Sequence, residues 1–167
     1  MVGPLLVEAF RYNRWANLHV LDVCARLSED QLQLTAPGTY GAIAATLQHL
    51  LSAEGRYLRR ILGHERQINE RDPFPGLAAL RTIAERSGDL LIEAAGRVGG
   101  DDVIDTQYGD GRFRLNLGVV LLQAMHHGND HRTHVCTILG THGIEYGDMD
   151  VWAYGAASGA MVALGAS

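Results

Sequence analysis

NLGVVLLQAMHHGNDHRTHVCTIL, residues 116–139, is the stretch whose reading decides the fold. Leu117, Leu121, Ala124, Gly128, Val135 and Ile138 recur at three- and four-residue steps, the apolar stripe of one helix. At about 100° per residue, His131 lies about 40° from the centre of that stripe and His127 about 80°. His126 falls about 180° away and Asp130 about 140°, so the competing 126/130 register faces solvent. His134, about 100° off, borders the same side as His127 and His131. His127 and His131 are four apart and stack on one helix face. Two imidazoles at a helix interior with no acidic neighbour on that face are poorly satisfied by hydrogen bonds alone. A shared cation would use both lone pairs, although this spacing by itself is weak evidence of one.

Three further segments carry the same periodicity. The first covers about residues 4–27, with Leu5, Ala9, Tyr12, Ala16, His19 and Val23 in step. Ser28-Glu29-Asp30-Gln31 reads as the cap of a short following turn. The second covers residues 40–62, with Thr39 as N-cap and Gly63 as C-cap. The third covers residues 76–98 and stops at Gly99-Gly100. Residues 103–107 and 112–115 alternate around Gly109-Asp110-Gly111, a β-hairpin signal. The quoted helix is expected to end at Gly140, and a short last helix to start at Asp148. The expected fold is all-α: a four-helix bundle with a small hairpin before the last long helix and a short C-terminal helix.

The chain has 167 residues, 47% of them apolar and 20% charged, which fits one globular domain over residues 1–167. Its net charge of −5 speaks against a nucleic-acid partner. All 14 basic residues are Arg, which excludes lysine-dependent chemistry. Cys24 and Cys136 form no framework and no CxxC, so a reducing, cytoplasmic setting is expected. No basic n-region precedes a long apolar stretch near the N-terminus, so no signal peptide is expected. The uncharged stretch 151–167, with Gly155 and Gly159 at GxxxG spacing, is read as a terminal helix, not a membrane anchor.

A catalytic-type site needs a third ligand. His49 sits mid-helix in Leu47-Gln48-His49-Leu50-Leu51, about 160° from the stripe of Leu47, Leu51, Glu54 and Leu58. Ala42, Ala45 and Ala53 line its side. That helix is apolar almost all round, so its phase leaves His49 open as a ligand, with His19 as the other candidate. His64 and His142 follow helix ends and are read as solvated.

Tyr12-Asn13-Arg14-Trp15-Ala16-Asn17, Leu47-Gln48-His49-Leu50 and the run from His127 to Arg132 resemble, in order, the motifs of the DinB/YfiT-like family. The resemblance covers nearly the whole chain. It implies a metal-binding four-helix bundle of DinB/YfiT type, a homodimer, and a divalent ion held by His49, His127 and His131. Known members include thiol-dependent transferases and isomerases that use bacillithiol or mycothiol; others are described as metal-dependent hydrolases. Asp130 stands where the family commonly has His, and Thr133-His134 where it has Gly-Gln. His134 could thus add a ligand or an acid/base group.

Three neutral imidazoles leave an ion its full charge and an open position. Imidazole ligands suit Zn, Ni, Cu or Fe and do not by themselves fix the metal; Zn or Ni is the expected one. The expected activity is a thiol-dependent S-transferase, with a low-molecular-weight thiol as cosubstrate and a small-molecule electrophile as substrate. The alternatives are a metal-water hydrolase, with His134 or Glu54 as proton acceptor, and a non-catalytic metal-binding bundle. Arg132 is a candidate for a cosubstrate carboxylate, against a surface ion pair. Asp22, Glu54 and backbone carbonyls are candidates to orient the ligands. Tyr12 and Trp15 are read as core packing, Trp152 and Tyr154 as sealing the bundle end or a dimer contact, and Arg56, Arg59 and Arg60 as a solvated face.

Overall fold

The first helix of the computed structural model, α1, runs Pro4–Cys24. The structure describes residues 4–164, so the last three residues of the C-terminal stretch lie outside it. α1 stops short of Leu27 because Arg26 and Leu27 bond three residues back, to Val23 and Cys24, and tighten the chain into a turn. Ser28 then caps the one-turn α2 (Glu29–Leu32) with the reciprocal Ser28–Gln31 capping box.

α3 (Ile43–Leu62) begins three residues later than its sequence pattern suggests. Ala42 is the N-cap and offers no side-chain bond. Thr39 does not cap the helix; its hydroxyl donates to the Ala36 carbonyl 2.7 Å away. Tyr40 and Gly41 are therefore in loop conformation, which matters for the site below. Gly63 ends α3 at φ 74°, the left-handed conformation glycine adopts without strain. α4 (Leu77–Arg97) follows, then β1 (Val103–Tyr108) and β2 (Gly111–Asn116). The strands pair antiparallel, with Asp105 opposite Arg114. Ile104 and Leu115 anchor the hairpin against the core, as a two-stranded ribbon requires. α5 (Leu117–Thr141) passes through Gly140 and reverses at Gly143, at φ 68°. α6 (Val151–Ser158) is capped by Asp150, two residues beyond the expected start.

α1 packs mainly on α4, α4 on α3, α3 on α5, and α5 back on α1, closing a ring of four helices. The core divides into two apolar clusters. One contains Val20, Leu47, Leu51, Leu80, Val135 and Ile138. The other contains Phe10, Leu58, Leu91, Leu117 and Leu121. Between them each helix places polar residues: Asn13 and Asn17, Glu54, Ser87, Arg132, all at most 4% exposed. Gly128 makes this layer possible. A Cβ there would come 2.6 Å from Asn13 Oδ1 and 2.9 Å from an Arg132 nitrogen. α6 docks on α1 through Tyr154, which packs on Tyr12 and Trp15. Trp152 of the same helix is 73% exposed, so only Tyr154 seals the bundle end.

Candidate metal centre

α3 and α5 lie side by side, and their inward faces bring three histidines together. His49 comes from α3, His127 and His131 from α5. One ligand nitrogen from each lies within 4.8 Å of the others. His49 Nε2 and His127 Nε2 are 3.0 Å apart. Two nitrogens each about 2.0–2.1 Å from one zinc ion lie roughly 3.0–3.4 Å apart at right-angled to tetrahedral angles. The spacing therefore suits shared ligation. His131 is buried and His127 half-buried, whereas His126 and Asp130 are exposed, as the helix phase requires.

Hydrogen bonding defines the protonation at His49. Its Nδ1 lies 2.7 Å from Glu70 Oε2. A carboxylate only accepts, so Nδ1 carries the proton and the Nε2 lone pair faces the other two rings. The His49 bond, above all, holds the Glu70 carboxyl below its usual value, with the Arg56 charge adding to it. His127 and His131 have no such partner: their Nδ1 atoms are buried without a hydrogen bond among the described residues. Burial pushes His127 down to about 3, helped by the neighbouring charges of His131 and His49. Burial likewise pushes His131 down to about 4, with His49 and His134 adding. Both rings are neutral at pH 7. Uncharged, and with a nitrogen of each within reach of the others, they are a donor set that a divalent cation would complete.

Neutrality carries a sign for stability. Both folded-state values lie below the ordinary histidine value of about 6.5, so as pH falls from there the unfolded chain takes up protons the folded chain refuses. Without metal, the fold should lose stability from about pH 6.5 down to about pH 4 for His131 and about pH 3 for His127, by at most about 1.4 kcal/mol per pH unit for each ring. Chemical denaturation across that range, compared with His127→Ala so that carboxylate titration cancels, should show a shallower slope in the variant. Equal slopes would mean that His127 protonates as freely folded as unfolded.

Two residues at the centre carry no periodic signal. Glu70 belongs to the polar, proline-bounded segment after α3, and Tyr40 to the loop before it. Tyr40 stacks on His49 with ring centroids 4.1 Å apart and meets His131 edge-on at 5.1 Å. Of the orienting candidates named from sequence, Asp22 instead pairs with Arg81 at the surface. Glu70→Gln should therefore weaken metal binding by about 10- to 100-fold, because a neutral amide holds the imidazole less firmly and does not raise its basicity. Competition against a chelating dye measures this, and an unchanged affinity would remove Glu70 from the centre.

The remaining sequence candidates fall in different places. His134 packs edge-on against His131, ring centroids 5.3 Å apart, outside the three-nitrogen cluster, with its own Nδ1 unpartnered among the described residues. Glu54 is corrected: it is 1% exposed and does not face the centre as a proton acceptor. Its Oε1 accepts from Asn13 and Asn17 at 3.0 and 2.8 Å, and its Oε2 from the Ser87 hydroxyl at 2.5 Å. Arg132 is corrected too, as neither a surface ion pair nor a free anchor for a carboxylate. It is 4% exposed and donates to Asn13, Asn17 and Asn129. His19 packs on Trp15 of α1 and takes no part in the cluster. His142 meets the Thr35 carbonyl, and His64 is exposed. Among the described residues no helix is long and apolar enough to cross a membrane.

No curated protein matches the chain. The DinB family model matches residues 1–159, a span that holds the four long helices, the polar layer built on Asn13 and Asn17, and all three clustered histidines. With the helical bundle, the hairpin before α5 and the histidine trio in place, the chain belongs to the DinB family.

Proposed function

We propose that this chain is a metal-dependent enzyme of the thiol-dependent S-transferase type, with His49, His127 and His131 holding a divalent ion, zinc or nickel. The observation that carries this reading is three imidazoles converging from two helices, with one of them oriented by a carboxylate. A divalent ion held by them would supply Lewis acidity, bringing the pKa of a thiol or a water toward neutral pH.

The chain's own residues shape the rest. Glu70 keeps the His49 proton on Nδ1, so Nε2 remains a donor to the ion. The Tyr40 ring packs against His49 and His131 and would limit water around them. The buried layer beneath fixes the rotation of α5 through Arg132, the residue after His131, and so keeps the His131 ring aimed at α3. His134, whose ring packs edge-on against His131, would take up or return a proton. That last feature equally favours a second reading, hydrolysis of an ester or amide by metal-activated water. The chain is proposed to act as a single domain in the cytoplasm and as a homodimer, on a small-molecule substrate.

The test is a comparison on protein with measured metal content. Metal-dependent consumption of a low-molecular-weight thiol with an electrophilic acceptor supports the transferase. Ester or amide turnover without thiol supports the hydrolase. Stoichiometric metal with neither activity across a broad panel overturns both and leaves a metal-binding bundle.

A further inference from the structure

A groove of about 500 Å³ runs between the hairpin and α5, walled by Tyr57, Tyr108, Phe113, Val119 and Gln123. Its lining is mostly apolar, and Tyr108, Phe113 and Val119 are 79%, 53% and 51% exposed. A second hollow of about 430 Å³ is lined by Arg56, Arg59, Arg60 and Arg66. Arg60 and Thr106 line both, so the two are arms of one cleft, one apolar and one cationic.

Each arm adjoins the histidine cluster through one of its lining residues. Val119, Gln123 and His127 follow one another at four-residue steps along a single face of α5. The Tyr57 ring in the groove wall meets the His127 ring edge-on at 5.9 Å. In the cationic arm, Arg56 bonds the same Glu70 oxygen that holds His49.

The cationic arm has more positive charge than its own carboxylates neutralise. Glu70 serves Arg56 at 3.3 Å, and Asp105 is held in a two-point pair by Arg114 at 2.8 and 3.1 Å. Arg59 and Arg60 make no ion pair among the described residues. Arg66 reaches the Ser52 hydroxyl, yet its buried Nε has no partner. Arg56, Arg59 and Arg60 stand three and four apart on one helix face, where like charges repel. A bound oxyanion would relieve that repulsion and would match the planar donors of guanidinium. An exposed apolar groove continuous with such a cluster fits the body of the same ligand.

We propose that this cleft binds a small soluble amphipathic anion, its alkyl or aryl body in the groove and its phosphate or carboxylate on Arg59 and Arg60. The placement puts the body of the ligand about one helical turn of α5 from His127. As a statement of substrate class this rests on the catalytic reading above; as a statement of binding it does not.

The test is calorimetric titration of the full chain at low salt with octyl phosphate, octanol and inorganic phosphate. Octyl phosphate should saturate at one per chain and bind at least about tenfold more tightly than either fragment alone, and added salt should weaken it. Arg59→Ala/Arg60→Ala should lower octyl phosphate affinity about tenfold or more and leave octanol unchanged, while Phe113→Ser should weaken both. All three positions are exposed, and circular dichroism checks that the variants keep the fold. Octanol binding as tightly as octyl phosphate, absence of saturable binding, or binding only to phosphatidylglycerol vesicles would each overturn the proposal. A chain that binds octyl phosphate yet turns over no substrate keeps the cleft and loses the enzyme; an active chain that does not bind it shows the reverse.

Discussion

His127→Ala should strip the protein of its metal while the bundle stays folded. Removing one of three imidazoles takes away a full coordinate bond, and affinity should fall by more than the 10- to 100-fold that attends loss of an orienting partner. The fold should survive because His127 is half-buried at the bundle edge and lies outside the polar layer, with no hydrogen bond to its Nδ1 among the described residues. Truncating the ring gives up the Nε2 contact with His49 and no bond at Nδ1, and should cost about 1 kcal/mol of metal-free stability. Metal at a hundred times its dissociation constant adds about 2.7 kcal/mol to the native protein, and the variant should lose that increment. Mass-spectrometric metal content and the metal-induced rise in melting temperature check both halves. His126→Ala is the control, since that side chain is exposed on the far face of the same helix. Retention of stoichiometric metal by His127→Ala would show that the ion, if bound, sits elsewhere.

Arg132→Ala should give the largest loss of stability, about 3–5 kcal/mol, because it leaves a buried carboxylate without its counter-charge. Arg132 and Glu54 do not touch directly. Asn13 and Asn17 stand between them, each donating its amide N–H to Glu54 Oε1 and accepting an Arg132 N–H on its amide oxygen. The arrangement satisfies both charges where no water reaches. Burial raises the Glu54 carboxyl above its ordinary value, opposed by the bonds from Ser87 and Asn13 and by the Arg132 charge. Burial lowers the Arg132 guanidinium, opposed by Tyr12 and Glu54. Without Arg132 both asparagine oxygens lose their donor and the opposition to burial at Glu54 weakens. Glu54→Gln in the Arg132→Ala background should recover part of the loss, since an amide needs no counter-charge, with a coupling of about 0.5–3 kcal/mol. Urea unfolding of the four members of this cycle measures it. A loss below about 1 kcal/mol for Arg132→Ala would mean that the layer tolerates an uncompensated charge, contrary to its burial.

The same layer links stability to the site. Arg132 and His131 are adjacent in the chain and both buried, one turned toward α1 and the other toward α3. Anchoring Arg132 on α1 fixes how α5 is rotated, and that rotation decides whether two histidines four residues apart meet the one from α3. Gly128 belongs to this account. Any side chain there would strike Asn13 and hold α1 away from the guanidinium.

Much was legible before any coordinates. The apolar stripe of residues 116–139 placed His127 and His131 inward and His126 and Asp130 outward, because a helix repeats its faces every 3.6 residues whatever surrounds it. The four long helices, the hairpin and the Ser28 capping box are local chemistry in the same sense. Phase says nothing decisive about His49, since residues 46–48 and 50–54 around it on α3 are all buried and leave no solvent face there to set the direction. Nor could periodicity find Glu70 and Tyr40, which lie in loops and reach the centre only because the α3–α4 and α2–α3 connections fold back over it. Adjacency to His131 suggests a place at the site for Arg132, and Glu54 is a carboxylate on the helix of His49, whereas packing turns both into the buried layer where Asn13 and Asn17 meet them. A single helix carries its own periodicity in its residues; which side chain from another segment completes a charge or a ligand set depends on contacts between distant parts of the chain, and those exist only once the four helices have closed.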